Sequence, residues 1–298
     1  MTVKPRSIAF HLGAHKTATS HLQRCLKKAS EALAADGVQY HGPEKFRSET
    51  GTIPALFGFR QGRSAGDDRP DPQAQLAALS QGADRLVLSE ENFIGVLNSP
   101  RGLAIRRRYK AAGERLSALS TAIGQDVDVF LGIRRPTGFI NSAYGQMLLG
   151  GQVRPLGIFL RRNPMSSVDW LDVVTRIRQA RGVGQVTVWR YEDYAALFPQ
   201  IVTGLVGAVP SRHVQWVERS VNPGLSAAAV AEILHRAAHD DVGNIGFMVR
   251  KMLPVQSGYP PFDGFTEEEH ARGDAAYATQ VAAITALDGV TLLRPPAT

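Results

Sequence analysis

One cysteine, Cys25, is all that 298 residues contain, so no intrachain disulfide can form and the chain suits a reducing compartment. Long apolar runs are missing too: no stretch reaches the roughly 18 residues that a membrane-spanning helix needs. The N-terminus MTVKPRSIAFHLGAHK places Lys4 and Arg6 before an apolar stretch, as a signal peptide would. That stretch is short, broken by His11 and followed by no small-residue cleavage site. A cytoplasmic protein is therefore expected. Aromatic residues make up only 7%, and few interleave with the basic residues, which disfavours a nucleic-acid groove lined for base stacking. No internal repeat or low-complexity linker is present.

What remains is ordinary globular composition, 44% hydrophobic and 20% charged. A chain of this size buries about three quarters of its unfolded surface, and we expect a single domain over 1–298. The formal charge of +7 owes much to RGLAIRRRYK, with Arg101, Arg106, Arg107, Arg108 and Lys110 and no acid between them. Such a run is either a solvated helix face or an attractor of anions.

Strand-like and helix-like segments alternate. SIAFHL (7–12), VQY (38–40), RLVLSE (85–90), VDVFLGI (127–133) and QVTVWRY (185–191) read as strands. Helical patterns cover 19–34, 103–123, a segment starting near Pro136, and 168–180. Residues 41–72, rich in Gly, Pro, Arg and Asp, read as a long loop. From Ser226 onward the pattern is almost wholly helical, with Ser226 as a cap and Thr266 with Glu269 as a capping box. This alternation predicts an α/β fold: a parallel β-sheet flanked by helices, with a helical C-terminal part.

In such a sheet ligands bind beyond the carboxyl ends of the strands. FHLGAHKTATSHLQ (10–23) reads as strand, glycine turn and helix start, where free amides and the helix dipole favour an anion. Lys16 adds charge, and Thr17, Thr19 and Ser20 add hydroxyls. A plain helix start capped by Thr17 or Thr19 fits this stretch equally well. The triphosphate-binding loop has glycine directly before its lysine; here His15 holds that place. A second stretch, IRRPTGFINSAY, leaves the strand 127–133 on the same sheet edge. Arg134 and Ser142, eight residues apart, can reach one anion there, the arginine through its fork of donors.

The two stretches together resemble the sulfotransferases that use 3′-phosphoadenosine 5′-phosphosulfate (PAPS), bacterial type. Lys16, Thr17, Thr19 and Ser20 match that family's 5′-phosphosulfate loop, and Arg134 and Ser142 match its 3′-phosphate site. VTVWRYEDY is similar to the strand that follows in the family, and YPPFDGFTEEEHARGDAAY to the tail of bacterial members. The resemblance implies a P-loop nucleoside-triphosphatase-like fold, PAPS as sulfuryl donor, no metal, and a hydroxyl-bearing acceptor on a carbohydrate, lipid-linked glycan or small metabolite. Ala18 departs from the family's usual glycine, a substitution that is strained if the backbone there needs positive φ. LVLSEENF resembles a stretch whose glutamate is the base, which maps to Glu91; Glu90 is its neighbour, and capping of the next helix is the competing reading.

Two rivals share these features. A nucleotide kinase or hydrolase would need magnesium, and a non-catalytic polyanion-binding module would rely on Arg106 to Arg108. Arg161, Arg162 and the loop arginines favour an acidic acceptor such as an acidic carbohydrate. His11 with His15 lack metal-binding geometry on a strand and loop, and His235 with His239 lack a third ligand. Cys25 reads as core with Leu22 and Leu26, Trp189 and Tyr191 as strand aromatics, and Glu192 and Asp193 as caps of the next helix.

Overall fold

The computed structural model describes residues 4–48, 51–59, 71–97, 109–218, 224–239 and 245–296. Six strands are formed: β1 (Ser7–His11), β2 (Val38–His41), β3 (Arg85–Ser89), β4 (Val127–Ile133), β5 (Val183–Arg190) and β6 (Val290–Leu292). They make one sheet in the order β2-β3-β1-β4-β5-β6, and every pairing is parallel. The fold is thus α/β, as expected.

The central strands β1, β3 and β4 are apolar on both faces because helices cover both. Along β4, Val127, Val129, Leu131 and Ile133 join one core layer, whereas Phe130 points to the other with Leu22, Cys25, Leu26 and Trp189. Side chains alternate across a strand, so one segment feeds two cores. Cys25 is buried as expected.

The chain runs from β1 outward to β2 on one side and, later, to β5 on the other. Strand order therefore reverses between β1 and β4, which pair through Ala9–Asp128, Phe10–Val129 and His11–Phe130. A crevice opens outside the strand ends at such a reversal. The loop after β1 and the helix entry after β4 both leave the sheet there.

Several boundaries differ from expectation. The helix expected over 19–34 is two helices, Thr19–Lys28 and Ser30–Ala35. At the break the amide of Ala29 is shared between the carbonyls of Cys25 and Leu26, a tightened last turn that needs neither Gly nor Pro. The segment 41–72 contains short helices Pro43–Phe46 and Ile53–Leu56, with Phe46, Ile53 and Phe57 buried; residues 60–70 lie outside the described set. Of the helix expected over 103–123, the described part is the 3₁₀ turn Tyr109–Ala111 and helix Ala112–Ile123; Leu103 and the run Arg106 to Arg108 lie outside the described residues. The C-terminal part has helices Ala227–Ala237, Ile245–Met252 and Glu267–Thr285, then β6, which the helical pattern hid. Pro136 opens helix Pro136–Leu149, Ser226 caps through Ala229, and Thr266 with Glu269 forms the capping box. Glu192 and Asp193 do not cap: the helix Tyr194–Val206 has no side-chain cap bond. Glu192 instead accepts from the Arg135 amide, and Asp193 pairs with Arg190.

Candidate active site

The loop between β1 and helix Thr19–Lys28 turns by three left-handed residues: Gly13 at φ 48°, Lys16 at 67° and Ala18 at 66°. A Cβ on Gly13 would lie 2.3 Å from the hydroxyl oxygen of Thr19, so only glycine fits. Lys16 and Ala18 carry Cβ atoms in a region that costs L-residues roughly 1–2 kcal/mol each. Ala18 is the N-cap residue and has no side-chain cap bond; neither Thr17 nor Thr19 caps. Both threonines donate to the carbonyl of Ala14, at 2.6 Å and 3.1 Å. Their hydroxyls therefore brace the loop from within, and the hydroxyl of Thr17 is not a free donor for a ligand.

A cavity of about 390 Å³ lies over this loop, walled by Lys16, Ala18, Thr19, Ser20, Arg24, Arg47, Glu91, Arg134, Ser142 and Gln146, among others. A second, about 440 Å³, shares Lys16, Arg134, Ser142 and Gln146 and extends over Tyr191, Leu225, Arg250 and Phe262. The structure thus gathers Lys16, Ala18, Thr19, Ser20, Glu91, Arg134 and Ser142 around one space. Thr17 sits behind it, buried. A larger hollow of about 750 Å³ beside Tyr109, Trp170 and Arg176 has none of these residues in its walls.

Lys16 is partly desolvated, which brings its ammonium down to about 8, helped by Arg134 and opposed by Glu91. Arg134 donates from Nη1 to the carbonyl of Lys16 at 2.9 Å and stacks on Tyr191, 4.2 Å from the ring centre. Tyr191 is thus a platform for the arginine. Gly138 leaves the guanidinium room: a Cβ there would lie 3.2 Å from its Nε. Ser142 lies one turn beyond Gly138 in the same helix, and Gln146 one turn further.

On the far side β3 delivers two adjacent carboxylates with different duties. Glu90 is buried and caps the 3₁₀ turn Glu91–Phe93 by accepting from the Asn92 amide at 2.9 Å. Arg47 donates to both its oxygens, at 3.0 Å and 3.2 Å. Burial nonetheless pushes the Glu90 carboxyl up. Glu91 faces the cavity, accepting from Arg47 at 2.6 Å and from Gln23 at 2.9 Å. Burial would raise it as well, but Arg47 and Gln23 outweigh that, and its carboxyl is held below the usual range. The capping duty expected of Glu91 falls to Glu90.

His11 and His15 are held by hydrogen bonds within the fold, His15 at the wall of the cavity. His15 binds the hydroxyl of Tyr109 through Nδ1 at 2.8 Å and Asn92 through Nε2 at 3.2 Å, and burial lowers its basicity. His11 binds Ser89 at 2.8 Å and is brought down to about 4 by burial. His239 bonds the carbonyl of His235 in its own helix. Among the described residues no group of three His, Cys, Asp or Glu side chains is placed to hold a metal ion. Sequence reasoning missed Arg47 and Gln23. Arg47 gave no signal beyond one basic residue in a polar loop. Gln23 was a polar residue between the core positions Leu22 and Cys25, readable as an oddity. Gln146, four residues after Ser142, was legible by helical spacing alone.

No family model matches the chain, and no curated protein does. Among solved structures, a sulfotransferase from Alicyclobacillus acidocaldarius aligns over 83% of this chain and 96% of its own, at 15% identity and a TM-score of 0.44. The signal recognition particle receptor FtsY from Elizabethkingia anophelis aligns over 72% of this chain and 63% of its own, at 13% identity and a TM-score of 0.27. The GDP complex of that receptor gives 15% identity, 72% and 55% coverage, and 0.26. Likenesses this distant carry no argument about activity, which has to come from the site.

Proposed function

We propose that this chain is a sulfotransferase that moves the sulfuryl group of PAPS to an alcohol. The observation that supports this most is the union of the two loops: Arg134 bonds the carbonyl of Lys16, and Lys16, Arg134 and Ser142 wall the same cavity. A ligand with two separated phosphates suits that arrangement. Its donor set is cations and hydroxyls around a helix start, chemistry suited to phosphate and sulfate oxygens.

PAPS supplies the activated sulfuryl group, carried on a single 5′-phosphate, so the triphosphate loop and its metal are not required. In this reading Arg134 and Ser142 hold the 3′-phosphate. The loop amides over Lys16 to Ser20 receive the 5′ end, with the hydroxyls of Thr17 and Thr19 keeping those amides in place and Ser20 free to donate. Lys16 stabilises charge on the leaving phosphate oxygen. Glu91, across the cavity, takes the proton from the acceptor hydroxyl. Positioning and electrostatics then carry most of the acceleration. The acceptor is an alcohol, an acidic carbohydrate among the candidates, and the protein works in the cytoplasm; no helix among the described residues is long and apolar enough to cross a membrane.

The test is calorimetric titration with 3′-phosphoadenosine 5′-phosphate, the desulfated product, beside ATP, both in EDTA. Tight product binding with weak ATP binding is the expected result. Negligible product binding, with ATP binding restored by magnesium, would return the loop to the kinase class.

A further inference from the structure

We propose that Arg47 and Gln23 are positioning residues that clamp Glu91 from opposite sides, holding it ionised and aimed at the cavity that Lys16 enters. The inference rests on Glu91 being the base in the proposed reaction, but the clamp itself is a matter of geometry. Each carboxylate oxygen of Glu91 accepts from a side chain, Arg47 Nη2 on Oε1 at 2.6 Å and Gln23 Nε2 on Oε2 at 2.9 Å, and the Glu91 amide adds a backbone bond. The donors come from different parts of the fold, Gln23 from helix Thr19–Lys28 and Arg47 from the residue after helix Pro43–Phe46.

Both donors are themselves anchored. Arg47 grips buried Glu90 with two bonds, and Glu90 is fixed by the Asn92 amide. Gln23 also reaches Ser89 at 3.2 Å, and Ser89 is paired with His11. The β3 end, the first helix and the segment after β2 therefore converge on one carboxylate. With about four lone-pair sites, the carboxylate can still accept from an acceptor hydroxyl.

The charge arrangement explains why a cation is needed there. Glu90 and Glu91 are neighbours in a poorly solvated corner, and two such carboxylates tend to share a proton. A protonated Glu91 cannot accept one. Arg47 touches both and lets both ionise. The other charged or titratable groups facing Glu91 are His11, His15 and Tyr40 behind it and Lys16, Arg24 and Arg134 around the cavity. Arg47 is the cation hydrogen-bonded to both Glu90 and Glu91.

The experiment measures slow hydrolysis of PAPS with water as acceptor, from pH 3 to 8, a range that includes the acidic limb set by the depressed Glu91 carboxyl. In that reaction the bond from sulfur to the bridging phosphate oxygen breaks, a bond from sulfur to the water oxygen forms, and the water proton goes to Glu91. Arg47→Gln is expected to shift the acidic limb of the rate upward by about one pH unit, with Arg47→Lys restoring most of it. Gln23→Leu is expected to lower the rate at all pH values and to shift the limb upward by less than Arg47→Gln does. Carbon-13 titration of Glu91 in glutamate-labelled protein, assigned with Glu91→Gln, reads the same shift without turnover. An unmoved carbon-13 titration in Arg47→Gln overturns the clamp. Failure of wild type to bind the product or hydrolyse PAPS overturns the sulfotransferase reading instead, while the carbon-13 result still judges the clamp.

Discussion

Arg134 donates a hydrogen bond from Nη1 to the backbone carbonyl of Lys16 at 2.9 Å, so the loop after β1 is tied to the helix entry after β4 before any ligand arrives. That bond makes Arg134 a structural brace as well as a candidate ligand contact. Arg134→Ala is expected to weaken binding of 3′-phosphoadenosine 5′-phosphate by about 1.5–3 kcal/mol, the range for hydrogen bonds to charged groups. Arg134→Lys should recover little, because a point charge cannot bond the carbonyl and lie over Tyr191 together. Calorimetry decides both, and unchanged affinity in the alanine variant refutes the role.

Lys16 gives a pH dependence with a definite sign. Burial brings its ammonium to about 8 in the free protein, and an anionic ligand beside it raises that value. Binding near pH 8 to 9 should therefore take up protons, and affinity should fall as pH rises through 8. Calorimetry in buffers of different ionisation enthalpy measures the uptake. Lys16→Met should bind more weakly and show no uptake from this group.

His11 predicts the opposite limb for stability. Its folded value, about 4, lies below the ordinary 6.5, so between those pH values the unfolded chain binds a proton that the folded chain refuses. Stability from this site is complete above about pH 6.5 and is lost as pH falls toward 4, by up to about 3 kcal/mol. Thermal melts across that window should show the decline, and His11→Asn should flatten it.

Ala18 is a left-handed N-cap. Ala18→Gly removes a steric cost of about 1–2 kcal/mol and adds back part of it as chain entropy. The melting temperature is expected to rise by about 1–3 °C, whereas Ala18→Val should lower it. Calorimetric melts of the two variants test the sign.

Glu91→Gln is expected to cut sulfuryl transfer by at least about a hundredfold, the lower bound for losing a positioned base, while leaving product affinity nearly intact. Turnover near wild type would dismiss Glu91 as base.

Strands β1, β3 and β4 were legible because their apolar runs are long enough to be buried on both faces, and β4 was read to the residue, whereas β2 and β5 were read from short or alternating apolar positions. The short edge strand β6 was hidden in a polar, helix-rich tail whose pattern gives three residues no distinguishing period. At the site, Lys16, Arg134 and Ser142 could be read because loop and helix spacing are local properties. The inward turn of the Thr17 and Thr19 hydroxyls could not, since it depends on where the carbonyl of Ala14 points. Arg47 was unreadable for a stronger reason: its two partners are 43 and 44 residues away, and no local pattern reports such a pairing. The division of labour between Glu90 and Glu91 followed from the same distant contact.

Two aromatic side chains stand behind the site without touching its cavity. Tyr109 bonds His15 through its hydroxyl, and Trp170 bonds the carbonyl of Arg134 through Nε1 at 2.7 Å, while the Trp170 amide is held by Gln280 of the last helix. The two ligand loops are therefore shimmed from the rear, one spacer under each. A survey of variants scored only by contact with ligand would pass over both positions. Trp170→Phe keeps most of the packing and removes just the spacer's bond, so its imprint would be a donor site slightly out of true in an otherwise intact fold.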